Sequence, residues 1–137
     1  MSSVNPSGFS LREHDIDIRV RYQETDAQGH VHHTTYINYF EIGRIEMLRA
    51  AGHSYRALED AGIMLVVTEV NCRFFASARY DDLLAMKTKV VRSKGVRIRH
   101  EYEIRLDGEL VAQGWTVVAA LGKDGKVKRL PTWLRMP

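Results

Sequence analysis

The chain contains a single cysteine, Cys72, so it cannot close an internal disulfide. A lone thiol inside a strand-like run fits a reducing compartment better than a secreted, cross-linked domain. Long apolar runs are also missing, and no stretch reaches the roughly 18 residues that a membrane helix needs. Met1 to Ser10 is polar and has no apolar centre of a signal peptide, so no leader is expected. A cytoplasmic protein without membrane insertion follows from these absences. Charge of one sign is scarce as well, with a net charge of +3 and a pI near 9.1. That balance suits a phosphorylated ligand as well as nucleic acid and decides neither. No repeat, low-complexity segment or recognisable nucleic-acid module is found.

What remains is an ordinary globular composition of 137 residues, 45% hydrophobic and 27% charged, enough for one domain with one core. Met1 to Arg12 reads as a loose tail and residues 13–137 as the domain. His14 to Tyr22 alternates strictly: Ile16, Ile18, Val20 and Tyr22 share one face, and charged residues take the other. This predicts a half-buried strand. Tyr36 to Ala51 carries apolar residues at three- and four-residue steps and predicts a helix. Thr34 or Thr35 is placed to cap it, and Gly52 to end it. A short helix over Tyr55 to Ala61 follows, then four strands: Met64 to Ala76, Leu83 to Arg92, Val96 to Leu106 and Glu109 to Leu121. Asp107-Gly108 is a two-residue hairpin signal. The order predicts an α+β fold, a long helix beside an antiparallel sheet.

The chemistry concentrates in Tyr22 to Glu41, which holds Glu24, Asp26, His30, His32, His33, Gly29 and Tyr36 between the first strand and the helix. A helix start presents unpaired N–H groups and partial positive charge, which can polarise a carbonyl. A carboxylate a few residues upstream can act on that carbonyl or on a water. Asp26 lies seven residues before His33, and Gly29 lets the intervening loop fold back.

This stretch resembles the hotdog-fold thioesterases of the 4-hydroxybenzoyl-CoA type, including the Tol-Pal-associated acyl-CoA thioesterases. The matching residues are Glu24-Thr25-Asp26-Ala27-Gln28-Gly29, His32-His33, Tyr36, Tyr39-Phe40-Glu41 and Arg44. Phe74 to Asp82 is similar to the family's strand-to-strand turn, with Ser77 where proline is usual. Glu24, Gln28 and His32 depart from the usual aspartate, small residue and aromatic. The resemblance implies a five-stranded sheet wrapped around one long helix, in a homodimer or homotetramer with active sites at subunit interfaces. It implies hydrolysis of acyl-CoA without cofactor or metal. It assigns Asp26 as nucleophile or general base and the His33 backbone N–H as the carbonyl donor.

Other residues are weighed against plainer roles. Glu24 is expected to be structural. His32 and His33, being adjacent, are expected to point apart, which argues against a metal site. Glu41 is the runner-up catalytic group, with pairing to Arg44 as its plainer reading. Tyr36 can line an acyl tunnel or pack in the core. Cys72 reads as a core thiol. Lys128 and Arg129 are the preferred cations for coenzyme A phosphates. A non-catalytic acyl-CoA-binding module on the same fold is the alternative. A hydratase or dehydratase would need a different histidine motif.

Overall fold

A computed structural model describes residues 12–136, so the expected tail falls outside the described residues except for Arg12. Five strands form one antiparallel sheet: β1 (Glu13–Arg19), β2 (Met64–Phe74), β3 (Leu83–Lys94), β4 (Arg97–Leu106) and β5 (Glu109–Leu121). Their order across the sheet is β1-β3-β4-β5-β2. Helix α1 (His33–Ala50) lies against one face, followed by the short α2 (Tyr55–Asp60). β4 follows its sequence pattern: Ile98, His100, Tyr102 and Ile104 are buried under the helix while Arg97, Glu101 and Arg105 are exposed. Asp107 and Gly108 both take positive φ, 50° and 84°, as a two-residue hairpin of matching twist requires.

Two boundaries differ from expectation by three residues, and the others by at most two. β1 stops at Arg19, and Tyr22 is 77% exposed in a 3-10 turn instead of sharing the inner face. The cause is a change of partner. Val20 bonds to Asp81 and Asp82 rather than to β3, and Glu24 Oε1 accepts from the Arg21 N–H at 2.8 Å, bending the chain. α1 begins at His33, ahead of the expected Tyr36, because the His32 side chain and neither threonine caps it.

The helix buries Thr35, Tyr36, Tyr39, Phe40, Gly43, Arg44, Met47 and Leu48, a 3.6-residue stripe. Phe40 stacks flat on Tyr102, with centroids 4.2 Å apart and planes 7° off parallel, a contact worth about 0.5–1.5 kcal/mol beyond its buried area. Gly114 makes room for that stack. A Cβ there would collide with the Asn71 carbonyl oxygen and come within 3.0 Å of Phe40.

The core has two apolar halves. One gathers around Tyr36, Tyr39, Phe40, Leu84 and Met86, the other around Met47, Leu48, Val90, Ile98 and Val118. Between them runs a polar belt of Arg44, Thr88, His100 and Thr116, all buried. β2 is different again. It is a sheet edge along which Met64, Val66, Val67, Val70 and Phe74 stay exposed. Among the described residues no helix is long and apolar enough to cross a membrane.

Candidate active site

Residues 24–32 fold back as a narrow hairpin. His32 N–H donates to Glu24 O at 2.9 Å, Thr25 bridges Val31, and Asp26 N–H donates to His30 O at 2.8 Å. Gly29 closes the tip at φ +84° with no neighbour within 4 Å of its Cβ position, the left-handed geometry glycine favours. Inside this turn Asp26 Oδ1 accepts from the N–H groups of Gln28 (2.9 Å) and His30 (3.2 Å). Oδ2 receives no hydrogen bond from any described residue. Partial burial is the largest single influence on this carboxyl and pulls its pKa up. The N–H groups of His30 and Gln28, with the charges of His30 and His32, together outweigh it and hold the pKa below the usual 3.8. Asp26 is therefore a carboxylate at neutral pH with one oxygen free.

The loop delivers the chain into α1. His32 is the N-cap: its Nδ1 accepts from Thr34 N–H at 3.2 Å, and its carbonyl accepts from Thr35 N–H at 2.9 Å. The N–H of His33 meets no acceptor among the described residues. The His32 and His33 rings do not point apart. They stack at 4.3 Å and 25°, because His32 is still extended while His33 is already helical. Phe74, at the end of β2, sets its ring 6.4 Å from His33 and 5.6 Å from Tyr36.

The second sequence motif clasps the first. Val31 N–H donates to Ala78 O at 2.8 Å, His30 bridges Arg79, and Asp82 Oδ2 ties back to Arg79 N–H at 2.8 Å. Glu24 is structural, as expected. Its Oε1 accepts from Tyr39 OH at 2.8 Å, and Oε2 pairs with Arg21 at 3.0 Å. Tyr36 is buried, and burial pushes its hydroxyl up to about 12. Its ring packs edge-on to Tyr39 at 5.9 Å and also faces Phe74, so core and site share it.

Other expected residues lie elsewhere. Glu41 is exposed, eight residues along α1 from His33, about 12 Å at 1.5 Å per residue. It forms no ion pair with Arg44, which turns inward so that its Nη1 donates to Tyr102 OH at 3.2 Å. Lys128 and Arg129 are exposed beyond β5, where Lys128 N–H bonds Ala120 O. Ala120 pairs with Leu65 at the start of β2, nine residues from Phe74, or about 30 Å along a strand. One protomer does not bring these cations to Asp26. Burial pushes the half-buried Cys72 thiol up to about 11, so it is no thiolate nucleophile at neutral pH. Among the described residues no trio of His, Cys, Asp or Glu has metal-site geometry.

The profile of the thioesterase-like superfamily matches residues 20–136. The chain belongs to this superfamily. The acyl-CoA thioesterase YbgC of Haemophilus influenzae is 32% identical over 123 residues, covering 89% of this chain and 86% of that protein. The acyl-CoA thioester hydrolase YbgC of Escherichia coli is 36% identical over 81 residues, 59% of this chain and 60% of its own length. Among solved structures, the DHNA-CoA thioesterase of Staphylococcus aureus superposes with a TM-score of 0.83 at 32% identity, covering 86% of this chain and 80% of that one. The α+β hotdog architecture expected from the sequence is thus the one the thioesterase chain adopts.

Sequence reasoning missed three parts of this site. The sequence points to a threonine cap, because imidazole is not among the favoured N-caps. The Ala78–Arg79 clasp is a long-range contact that no local pattern announces. Phe74 falls in the predicted strand and in the turn motif, but nothing in the sequence places its ring against His33.

Proposed function

We propose that this thioesterase hydrolyses acyl-CoA, with Asp26 as the reacting carboxylate and the His33 N–H as donor to the thioester oxygen. One observation carries the reading. An ionised carboxylate with a free oxygen and an unengaged helix-start N–H belong to one folded-back loop.

The chemistry follows from these groups. The His33 N–H and the positive end of α1 draw electron density onto the carbonyl oxygen as it becomes an oxyanion. Asp26 Oδ2 then takes a proton from a water that attacks the carbonyl carbon, or attacks that carbon itself. In the first route the C–S bond breaks and the coenzyme A thiolate leaves with the proton. In the second the C–S bond breaks as the Asp26 mixed anhydride forms, and water then hydrolyses that anhydride to the free acid and Asp26, its proton going to the departed thiolate. Either way the products are a carboxylate and free coenzyme A. Gly29 keeps the loop tip open to the substrate, and Tyr36 walls the acyl side.

A second copy of the chain completes the site in this reading. A long apolar edge strand such as β2 is an association surface unless covered. Two β2 edges meeting about a two-fold axis run antiparallel, so the start of one lies against the end of the other. That pairing carries Lys128 and Arg129 of one copy toward Phe74 and His33 of the other, where they meet the coenzyme A phosphates. Homodimers built this way can pair further into a homotetramer. Val70→Lys on the exposed edge should yield protomers by light scattering and lower turnover together; a fully active protomer would remove the shared-site reading.

The deciding experiment is release of free thiol from short, long and aromatic acyl-CoAs by the wild type and by Asp26→Asn. Turnover by the wild type that is lost in the variant supports the assignment. Binding of acyl-CoA by the wild type without turnover would favour the non-catalytic module.

A further inference from the structure

We infer that His32 is a positioning residue for this hydrolysis: its neutral imidazole, as the helix cap, aims the His33 N–H, and protonation of that ring disarms the donor. The inference rests on the acyl-CoA thioesterase reading above and adds a residue and a control to it.

The geometry fixes which form of the ring can cap. A backbone N–H can only donate, so the 3.2 Å contact from Thr34 N–H requires a lone pair on Nδ1. The Thr34 hydroxyl, 2.8 Å from the same nitrogen, is then a donor too, and the imidazole proton sits on Nε2. A proton on Nδ1 would face two donors at once. The positive end of α1 would also repel the imidazolium. The ring must then swing away, and its stack on His33 at 4.3 Å goes with it. His33, the residue whose N–H is free, is the first residue of the turn that this cap organises.

The swing has a destination. A positive charge on His32 favours the ionised form of Asp26, whose Oδ2 is unoccupied by described residues. An imidazolium leaving the cap pairs with that oxygen and engages the reacting carboxylate. One proton thus removes both halves of the machinery. The other charged or titratable groups of the segments meeting here include Arg21 and Glu24, bound to each other, His30, His33, Tyr36 and Tyr39, and Arg79 with Asp82. None of them is hydrogen-bonded to Nδ1 of His32 in the structure. Asparagine offers a cap oxygen that does not titrate, which separates capping from charge.

The test is the pH profile of kcat/KM between pH 5 and 8.5 for wild type, His32→Asn and His32→Ala, on whichever acyl-CoA the wild type turns over. The wild type should lose about tenfold from pH 8 to pH 5.5 along an acid limb. His32→Asn should keep at least about a third of wild-type activity at pH 8 and lose less than about twofold at pH 5.5. His32→Ala should fall about five- to tenfold at every pH. In the wild type, the Thr34 amide proton resonance should move along the same titration curve as the acid limb. An unchanged acid limb in His32→Asn would overturn the inference and leave the thioesterase reading intact. A folded but inactive His32→Asn would overturn it too, since capping would then not be the role. No turnover of any acyl-CoA by the wild type would bring down the thioesterase reading, and this inference with it.

Discussion

At the start of α1, Asp26, His30, His32 and His33 are half-buried or exposed, each within reach of solvent. Under the middle of the same helix, Arg44 and His100 are each only 5% exposed. The residue types overlap, yet the two regions do opposite things. In the belt, Arg44 Nε, Thr88 Oγ1 and His100 Nδ1 have no hydrogen-bond partner among the described residues, and burial together with Arg44 drives the His100 ring down to about 3. At the helix start, Asp26 moves modestly and in the direction of ionisation. Strong pKa perturbation is a common guide to reactive groups. Here it marks the packed interior, whereas the carboxylate proposed to react is set apart by access and by an oxygen that no described residue engages. The belt fixes how α1 seats on the sheet; the loop uses the end that this seating presents.

Mutations should split the regions cleanly. The largest effect belongs to Asp26→Asn. Asparagine Oδ1 can still accept from Gln28 and His30, so the loop keeps its shape while the anion is lost. Turnover should fall about a thousandfold or more, with unfolding by urea changed by less than about 0.5 kcal/mol. Gly114→Ala should do the reverse. Its Cβ meets the Asn71 carbonyl, a backbone atom that cannot rotate away, so stability should drop by about 3 kcal/mol. The activity that survives per folded molecule should stay near normal. Comparable losses of activity per folded molecule in both variants would mean that the two regions are one unit.

The same contrast explains how much could be read from the sequence. β4 was legible residue by residue because one face is buried and the other wet, and the Asp107-Gly108 turn fixes its pairing. The family was legible in the segment around Asp26 because its neighbours repeat a motif, and the chain does belong to the thioesterase-like superfamily. The belt was not: Arg44 and His100 look like surface or strand residues until the helix lands on them. His100 did fall on the inward face of its predicted strand, and that alternation was the available signal. β1 was overextended to Tyr22 because alternation continues past the point where Val20 changes hydrogen-bond partners. Helix α1 was begun late because its cap is an imidazole, a side chain outside the usual cap set. Lys128 and Arg129 were chosen by charge, and charge says nothing about which end of a strand they occupy.

A smaller effect should come from acid. The folded His100 titrates at about 3 against an ordinary 6.5, so between these values the unfolded chain takes a proton that the folded chain refuses. Stability is full above about pH 6.5 and is lost as the pH falls through that window, by at most about 1.4 kcal/mol per pH unit. Asp26, held below 3.8, adds its own loss only at the acid edge of this range. His100→Leu removes the imidazole and should flatten the slope between pH 4.5 and 6.5 in urea unfolding. An unchanged slope would place the acid sensitivity outside the belt.

The smallest effect tests the border between the regions. Glu41 lies on α1 between the capped start and Arg44, exposed, and without an ion pair to that arginine. It is two turns from the free N–H of His33, too far along the same helix for its carboxylate to share a carbonyl with that donor in one protomer. Nor does it hold the belt, because Arg44 donates its hydrogen bond to Tyr102 OH instead. Glu41→Gln should therefore leave kcat/KM within about twofold of wild type, as removal of a group that touches neither ground nor transition state does. A loss approaching that of Asp26→Asn would mean that Glu41 reaches a thioester bound by a second copy. The reacting carboxylate would then come from the helix face, and the loop of Asp26 would be left with the task of shaping the entrance.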